Sequence, residues 1–212
     1  MVRGAPSRAI FTPAMNRWGP FAAAYALLGI AAASIAVVWG DGSPLRLDDP
    51  WLPLSGAQRH LYSFAVGLAF GALVVVMTRP MVTRFAWART LHQQLRPIAS
   101  TISLPGIVAL AVLSSVGEEL FFRGLLQPAI GLVPQALLFG LAHQIRGPSR
   151  WVWASWATVM GLALGAAFRL TGSLAGPLTA HAVINGFNLA YLKRHDPEPQ
   201  RRSLGGLLGL RG

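Results

Sequence analysis

The stretch "SSVGEELFFRGLL", Ser114 to Leu126, sets two adjacent carboxylates, Glu118 and Glu119, into an otherwise apolar run, with Arg123 four residues after Glu119. Its reading decides the fold. In a soluble helix these acids would be ordinary surface residues. In a bilayer each costs about 2.5–3.5 kcal/mol on insertion scales and marks a functional site with a partner nearby.

The chain around the stretch favours the bilayer. Of 212 residues, 53% are hydrophobic and 12% charged, about half the ~25% usual in soluble domains. Several apolar runs reach the ~20 residues that cross a membrane. A soluble chain of this length has too small a core to hide them. The expected fold is all-α, a polytopic transmembrane helix bundle of about six spans plus one interfacial amphipathic helix. The spans fall near 20–39, 61–78, 98–126, 130–144, 151–170 and 173–192. Arg3, Arg8 and Arg17 precede the first run. That run is longer than a signal-peptide core and reads as a retained first helix.

The segment 79–97 carries Arg79, Arg84, Arg89 and Arg96 among Phe85, Trp87 and Leu91, between Pro80 and Pro97. It reads as the helix lying in the interface. The organisation is a cytoplasmic segment 1–19, one transmembrane domain 20–192 with its motif core at 98–192, and a polar tail 193–212.

The net charge of +11 raises nucleic acid as a partner, but the basic residues are scattered between apolar runs and no nucleic-acid motif is present. They suit loops at an anionic membrane face instead. With both termini inside, 14 of the 18 basic residues fall on the cytoplasmic side; Arg46, Arg59, Arg123 and Arg169 do not. Arginine outnumbers lysine seventeen to one, a habit of GC-rich bacterial genomes, so a bacterial inner membrane is the expected location. The absence of cysteine excludes disulfides, a thiol nucleophile and Cys-ligated metal.

Five of the seven acids lie in loops or the tail; only Glu118 and Glu119 lie in an apolar run. Glu119 and Arg123, at i and i+4, share a helix face and can pair. Glu118 points about 100° away and is left free as a general base. A structural ion pair alone would explain Glu119 and Arg123 but not Glu118. Two more polar pairs interrupt apolar runs: "FGLAH", with Phe139 and His143, and "HAVIN", with His181 and Asn185. A lone His143 near a helix end is equally well an interface anchor. Helical rise puts Glu118, His143 and His181 within ~8 Å of one depth, a spread that tilt absorbs.

In order and on successive helices, EExxxR, FxxxH and HxxxN resemble the motifs of the CPBP family of intramembrane proteases. That family includes the CAAX prenyl endopeptidases and bacterial relatives near bacteriocin systems. The resemblance implies a glutamic-type, intramembrane endopeptidase, in which Glu118 and His143 activate water, His181 and Asn185 stabilise the oxyanion, and Glu119 and Arg123 orient the site. No cofactor is expected. The alternative is zinc on Glu118, His143 and His181, an adequate ligand set, although no HExxH helix is present. The partners implied are the lipid bilayer and a peptide or protein substrate, lipidated or membrane-embedded, with no nucleic acid. A proton-coupled transporter and a non-catalytic membrane scaffold or immunity factor are the rival classes. No inverted repeat supports the first.

Overall fold

The structure, a computed structural model, describes residues 18–39 and 43–197. The N-terminal segment before Trp18, the tail beyond Pro197, Asp41, and the orientation markers Arg3, Arg8, Arg17, Arg201, Arg202 and Arg211 lie outside the described residues. Among the described residues there are seven helices and no strand: α1 Gly19–Trp39, α2 Gly56–Arg84, α3 Ala86–Ser100, α4 Leu104–Ile130, α5 Leu132–Ala142, α6 Arg150–Thr171 and α7 Ala175–Arg194.

Four of these, α1, α2, α4 and α6, are long and apolar enough to cross a membrane. Their outward faces are apolar too, with Phe21, Leu27, Ile30, Leu61, Phe64, Val76 and Val159 exposed. In water such a surface would aggregate; in lipid it is solvated. The chain is an integral membrane protein.

The fourth and sixth expected crossings differ from expectation. α5 has 11 residues and reaches only ~16 Å, about half a hydrocarbon core of ~30 Å. α7 has 20 residues but is not apolar enough to count among the four. It packs against α2, α3, α4 and α6, so its polar groups face protein, and a helix shielded by protein need not be apolar.

The boundaries around the interfacial helix also move. The third span begins at Leu104 rather than at 98, because residues 98–100 belong to α3. Pro80 and Pro97 do not bracket the helix but lie inside α2 and α3. α2 runs on through Pro80 to Arg84, and Phe85, in extended conformation, makes the break. Ala88, Leu91, His92 and Ala99 form the buried stripe of α3, at the i, i+3, i+4 spacing of an amphipathic helix.

The two ends of the bundle are built differently. At one end Trp18 packs over Gly106, and Ala22, Ile102, Ile107 and Leu110 form a small core. Here lie Arg79, Arg84, Arg89, Arg96, Arg146, Arg150, Lys193 and Arg194; at the other end, among the described residues, lie only Arg46, Arg59 and Arg169. At that second end the loop after α1 is strapped to the α6–α7 turn. Leu47 N–H donates to Gly172 O at 3.1 Å, and Trp51 N–H to Arg169 O at 2.9 Å. Leu47, expected in a polar loop, is buried against Phe168 and Leu174.

Beneath the strap Ser63 forms a buried hub. Its hydroxyl donates to Ser173 O at 2.9 Å and accepts from Gly176 N–H at 2.8 Å and from Thr171 Oγ1 at 3.0 Å. The hub requires α2 and α7 to touch backbone to backbone. Gly67 permits this, since a Cβ there would collide with the Gly176 carbonyl. Gly67→Val is expected to lower stability by about 1–3 kcal/mol, as overpacking does. Lipid-facing Leu61→Ala should be near neutral. Denaturant titration in micelles reads both, and equal effects would refute this packing.

Candidate active site

Glu118 ends the α-helical part of α4, and Glu119–Leu126 continues it as a π-helix. A π turn closes i to i+5 bonds and recurs at functional sites. Across this wider turn the expected pair still forms: Arg123 Nη1 donates to Glu119 Oε1 at 2.8 Å. Both side chains are 0% exposed, so the pair must meet its desolvation cost locally. Arg123 Nη2 donates to the Gly161 carbonyl at 3.3 Å, and the guanidinium lies 4.5 Å over the Phe139 ring. Gln135, absent from the sequence reading, donates to the same carbonyl at 3.2 Å.

His181 on α7 joins the pair. Its Nδ1 lies 2.6 Å from Glu119 Oε1. A carboxylate oxygen that already accepts from Arg123 also accepts from Nδ1–H, so His181 turns Nε2 to the other side. His143, the C-cap of α5, is held similarly: Nδ1 lies 2.7 Å from the Phe139 carbonyl. A carbonyl only accepts, so Nδ1 carries the proton and Nε2 is again the free nitrogen.

Both free nitrogens face one atom. Glu118 Oε2 is 3.5 Å from His143 Nε2 and 3.8 Å from His181 Nε2. The Glu118 side chain is buried, and Oε2 has no hydrogen-bond partner. Asn185 lies one turn after His181 on α7 and donates through Nδ2 to Ser114 Oγ at 3.0 Å. Thus Glu118, His143, His181 and Asn185, gathered with Glu119 and Arg123, form one constellation.

Three residues of this centre were not singled out in the sequence. Ser114 precedes Glu118 by four, a spacing that was readable. Tyr25, which lines the same cavity as Glu118, comes from α1. It gets there because Gly117 lets the two backbones meet: a Cβ at 117 would strike the Tyr25 carbonyl. Nothing local in sequence signals Tyr25 or Gln135.

Glu118, His143, His181 and Asn185 line a cavity of about 790 Å³ with a mainly apolar wall from α3, α4 and α6, including Leu91, Leu95, Leu110 and Trp156. As for zinc, among the described residues no group of three or more His, Cys, Asp or Glu side chains is arranged to hold an ion. The fixed positive charge beside the acids is Arg123.

A polytopic helical membrane protein with a buried carboxylate–histidine centre is the class that fold and site define. Residues 100–187 match the family described as type II CAAX prenyl endopeptidase Rce1-like. The match covers nearly all of the motif core expected at 98–192. The chain is also 38% identical over 90 residues to "Uncharacterized protein YpbD" of Bacillus subtilis (strain 168), which is 42% of this chain and 47% of that relative. The chain therefore spans about half the length of the curated relative it matches. No solved structure matches it.

Arg123→Ala would leave Glu119 buried beside a histidine without its guanidinium. Loss of one partner of a buried pair is expected to cost about 3–5 kcal/mol. Arg123→Lys should recover only part, because one ammonium does not reproduce the fork to Glu119 and Gly161. Unfolding of micelle-embedded protein tests this, and a wild-type midpoint for Arg123→Ala would show that the pair does not hold the site.

Proposed function

We propose that the chain is an intramembrane endopeptidase that hydrolyses a peptide bond with a Glu118-activated water. The observation that carries this reading is the buried, unpartnered Oε2 of Glu118 between two imidazole Nε2 atoms at 3.5 and 3.8 Å. Those separations leave both imidazoles at the edge of direct contact, where a water can bridge.

In this reading the water donates one proton to Glu118, and its oxygen attacks the scissile carbonyl carbon. His143 Nε2 accepts the water's other hydrogen and orients it. The oxyanion is met by Asn185 Nδ2–H and by the Nε2 side of His181, the two groups lying one turn apart on α7. The proton on Glu118 then passes to the leaving nitrogen, and the C–N bond breaks. The products are a carboxylic acid and an amine, which exchange a proton to leave as carboxylate and ammonium.

The substrate proposed is a peptide carrying an apolar chain. The cavity is wide and mainly apolar at the basic end of the bundle, and the family name supports a prenylated C-terminal peptide. No metal takes part in this mechanism. The positive-inside rule supports a basic end facing the cytoplasm, in keeping with the expected bacterial inner membrane and both termini inside.

Glu118→Gln is expected to lower turnover of a fluorogenic S-farnesyl CAAX peptide by about 10²–10⁴-fold with the fold intact. Asn185→Ala should cost about 10²–10³-fold, mainly in kcat. Retained cleavage by Glu118→Gln would sink the proposal, and a biological effect surviving in that variant would favour a scaffold. Chelator treatment should leave turnover unchanged. Loss restored by added zinc would establish the metal route instead.

A further inference from the structure

We propose that Arg79 and Asn188 form an anion subsite that takes the terminal carboxylate of the bound peptide, two to three residues beyond the scissile bond. The subsite rests on the hydrolase reading above.

Arg79 lies near the end of α2 and lines the same cavity as Glu118, His181 and Asn185. It is held firmly. Nη1 donates to Asn188 Oδ1 at 3.1 Å, Nη2 donates to the Phe187 carbonyl at 2.9 Å, and the guanidinium carbon sits 3.9 Å from the centre of the Tyr191 ring. Thr78 Oγ1 donates to the same Asn188 oxygen at 3.4 Å. All these partners are neutral.

No carboxylate among the described residues lies within ion-pair distance of Arg79, whereas Arg123 has Glu119 and Arg96 has Asp196. Arg79 is half-buried, and its charge is met by neutral groups alone, so an anion entering the cavity finds a positioned cation with no carboxylate to displace. The two bonds use two of the five N–H donors of a guanidinium. Asn188, with Oδ1 committed to Arg79 and Thr78, adds its Nδ2 donors.

Spacing names the anion. His181, Asn185 and Asn188 follow one another along α7. Asn188 is ~4.5 Å of rise past Asn185 and ~10 Å past His181. An extended peptide advances ~3.3 Å per residue. A scissile carbonyl held at His181 and Asn185 thus brings the backbone two to three residues further on to Arg79. A chain terminus supplies a carboxylate there. A lipid phosphate shares the chemistry, and the basic end of the bundle is where headgroups lie.

The test uses the full chain with Glu118→Gln, in nanodiscs of phosphatidylcholine. The probe is a fluorescein-labelled S-farnesyl CAAX heptapeptide, as free acid or as C-terminal amide, read by anisotropy. The acid is expected to bind about 10–100-fold more tightly, the range of a charge-assisted hydrogen bond. Arg79→Gln should erase that preference by weakening the acid alone, and exposed Arg84→Gln should preserve it. Phosphatidylglycerol in the disc should leave the ratio unchanged.

Equal binding of acid and amide, no binding of either, or a preference that survives Arg79→Gln would overturn the subsite. So would Arg79-dependent loss of peptide to phosphatidylglycerol, which would assign the site to lipid. Turnover by the chain with Glu118 intact separates the two readings. Cleavage without acid preference overturns the subsite alone. Acid preference without cleavage supports the subsite and overturns the hydrolase.

Discussion

The rest of the structure depends on a carboxylate oxygen that never meets solvent. Glu119 Oε1 accepts from Arg123 and from His181, and the Arg123 guanidinium continues to the Gly161 carbonyl and the Phe139 ring. One ion pair thereby ties α4 to α5, α6 and α7. Ion pairs this deep contribute little net stability, because desolvation offsets attraction. Their value here is direction. The pair turns His181 so that its far nitrogen faces Glu118, and it holds positive charge beside two acids.

The division of labour between the glutamates was legible from helical spacing. The Glu119–Arg123 face and the separate aim of Glu118 follow from i, i+4 geometry, and both survive the π turn that begins at Glu119. The His143 and His181 positions were legible as polar breaks in apolar runs. Tyr25 was not, because it depends on a close backbone approach at Gly117 that only tertiary packing produces. The boundaries of α2 and α3 were misplaced for a related reason. Pro80 reads as a helix stop, yet α2 continues past it to Arg84. Apolarity marked α1, α2, α4 and α6 well. It marked α7 poorly, since the helix most enclosed by protein has least need to be greasy.

The bundle is braced at one end and open in the middle. The Ser63 hub and the Leu47 strap close α2, α6 and α7 with buried hydrogen bonds, far from the chemistry. The other end carries the basic residues, the amphipathic α3 and the cavity wall. The proposed peptide substrate would need room there, and a site that holds two imidazoles to one oxygen needs rigidity close by. Separating the two lets the fold supply both.

The half-length of α5 has a further bearing. A full-length helix would bury its C-terminal carbonyls at the membrane surface and leave the reaction centre sealed in hydrocarbon. α5 stops at His143, and the polar segment after it is pinned to α3 by Gln94, which donates to the Arg146 carbonyl and accepts from the Ser149 amide. Hydrophilic backbone thereby follows directly on His143 and the Glu118 centre. The truncated helix works as a wick: it shortens the oily distance between the bundle's polar end and the Glu118 centre, in a protein whose lipid-facing surface otherwise repels water.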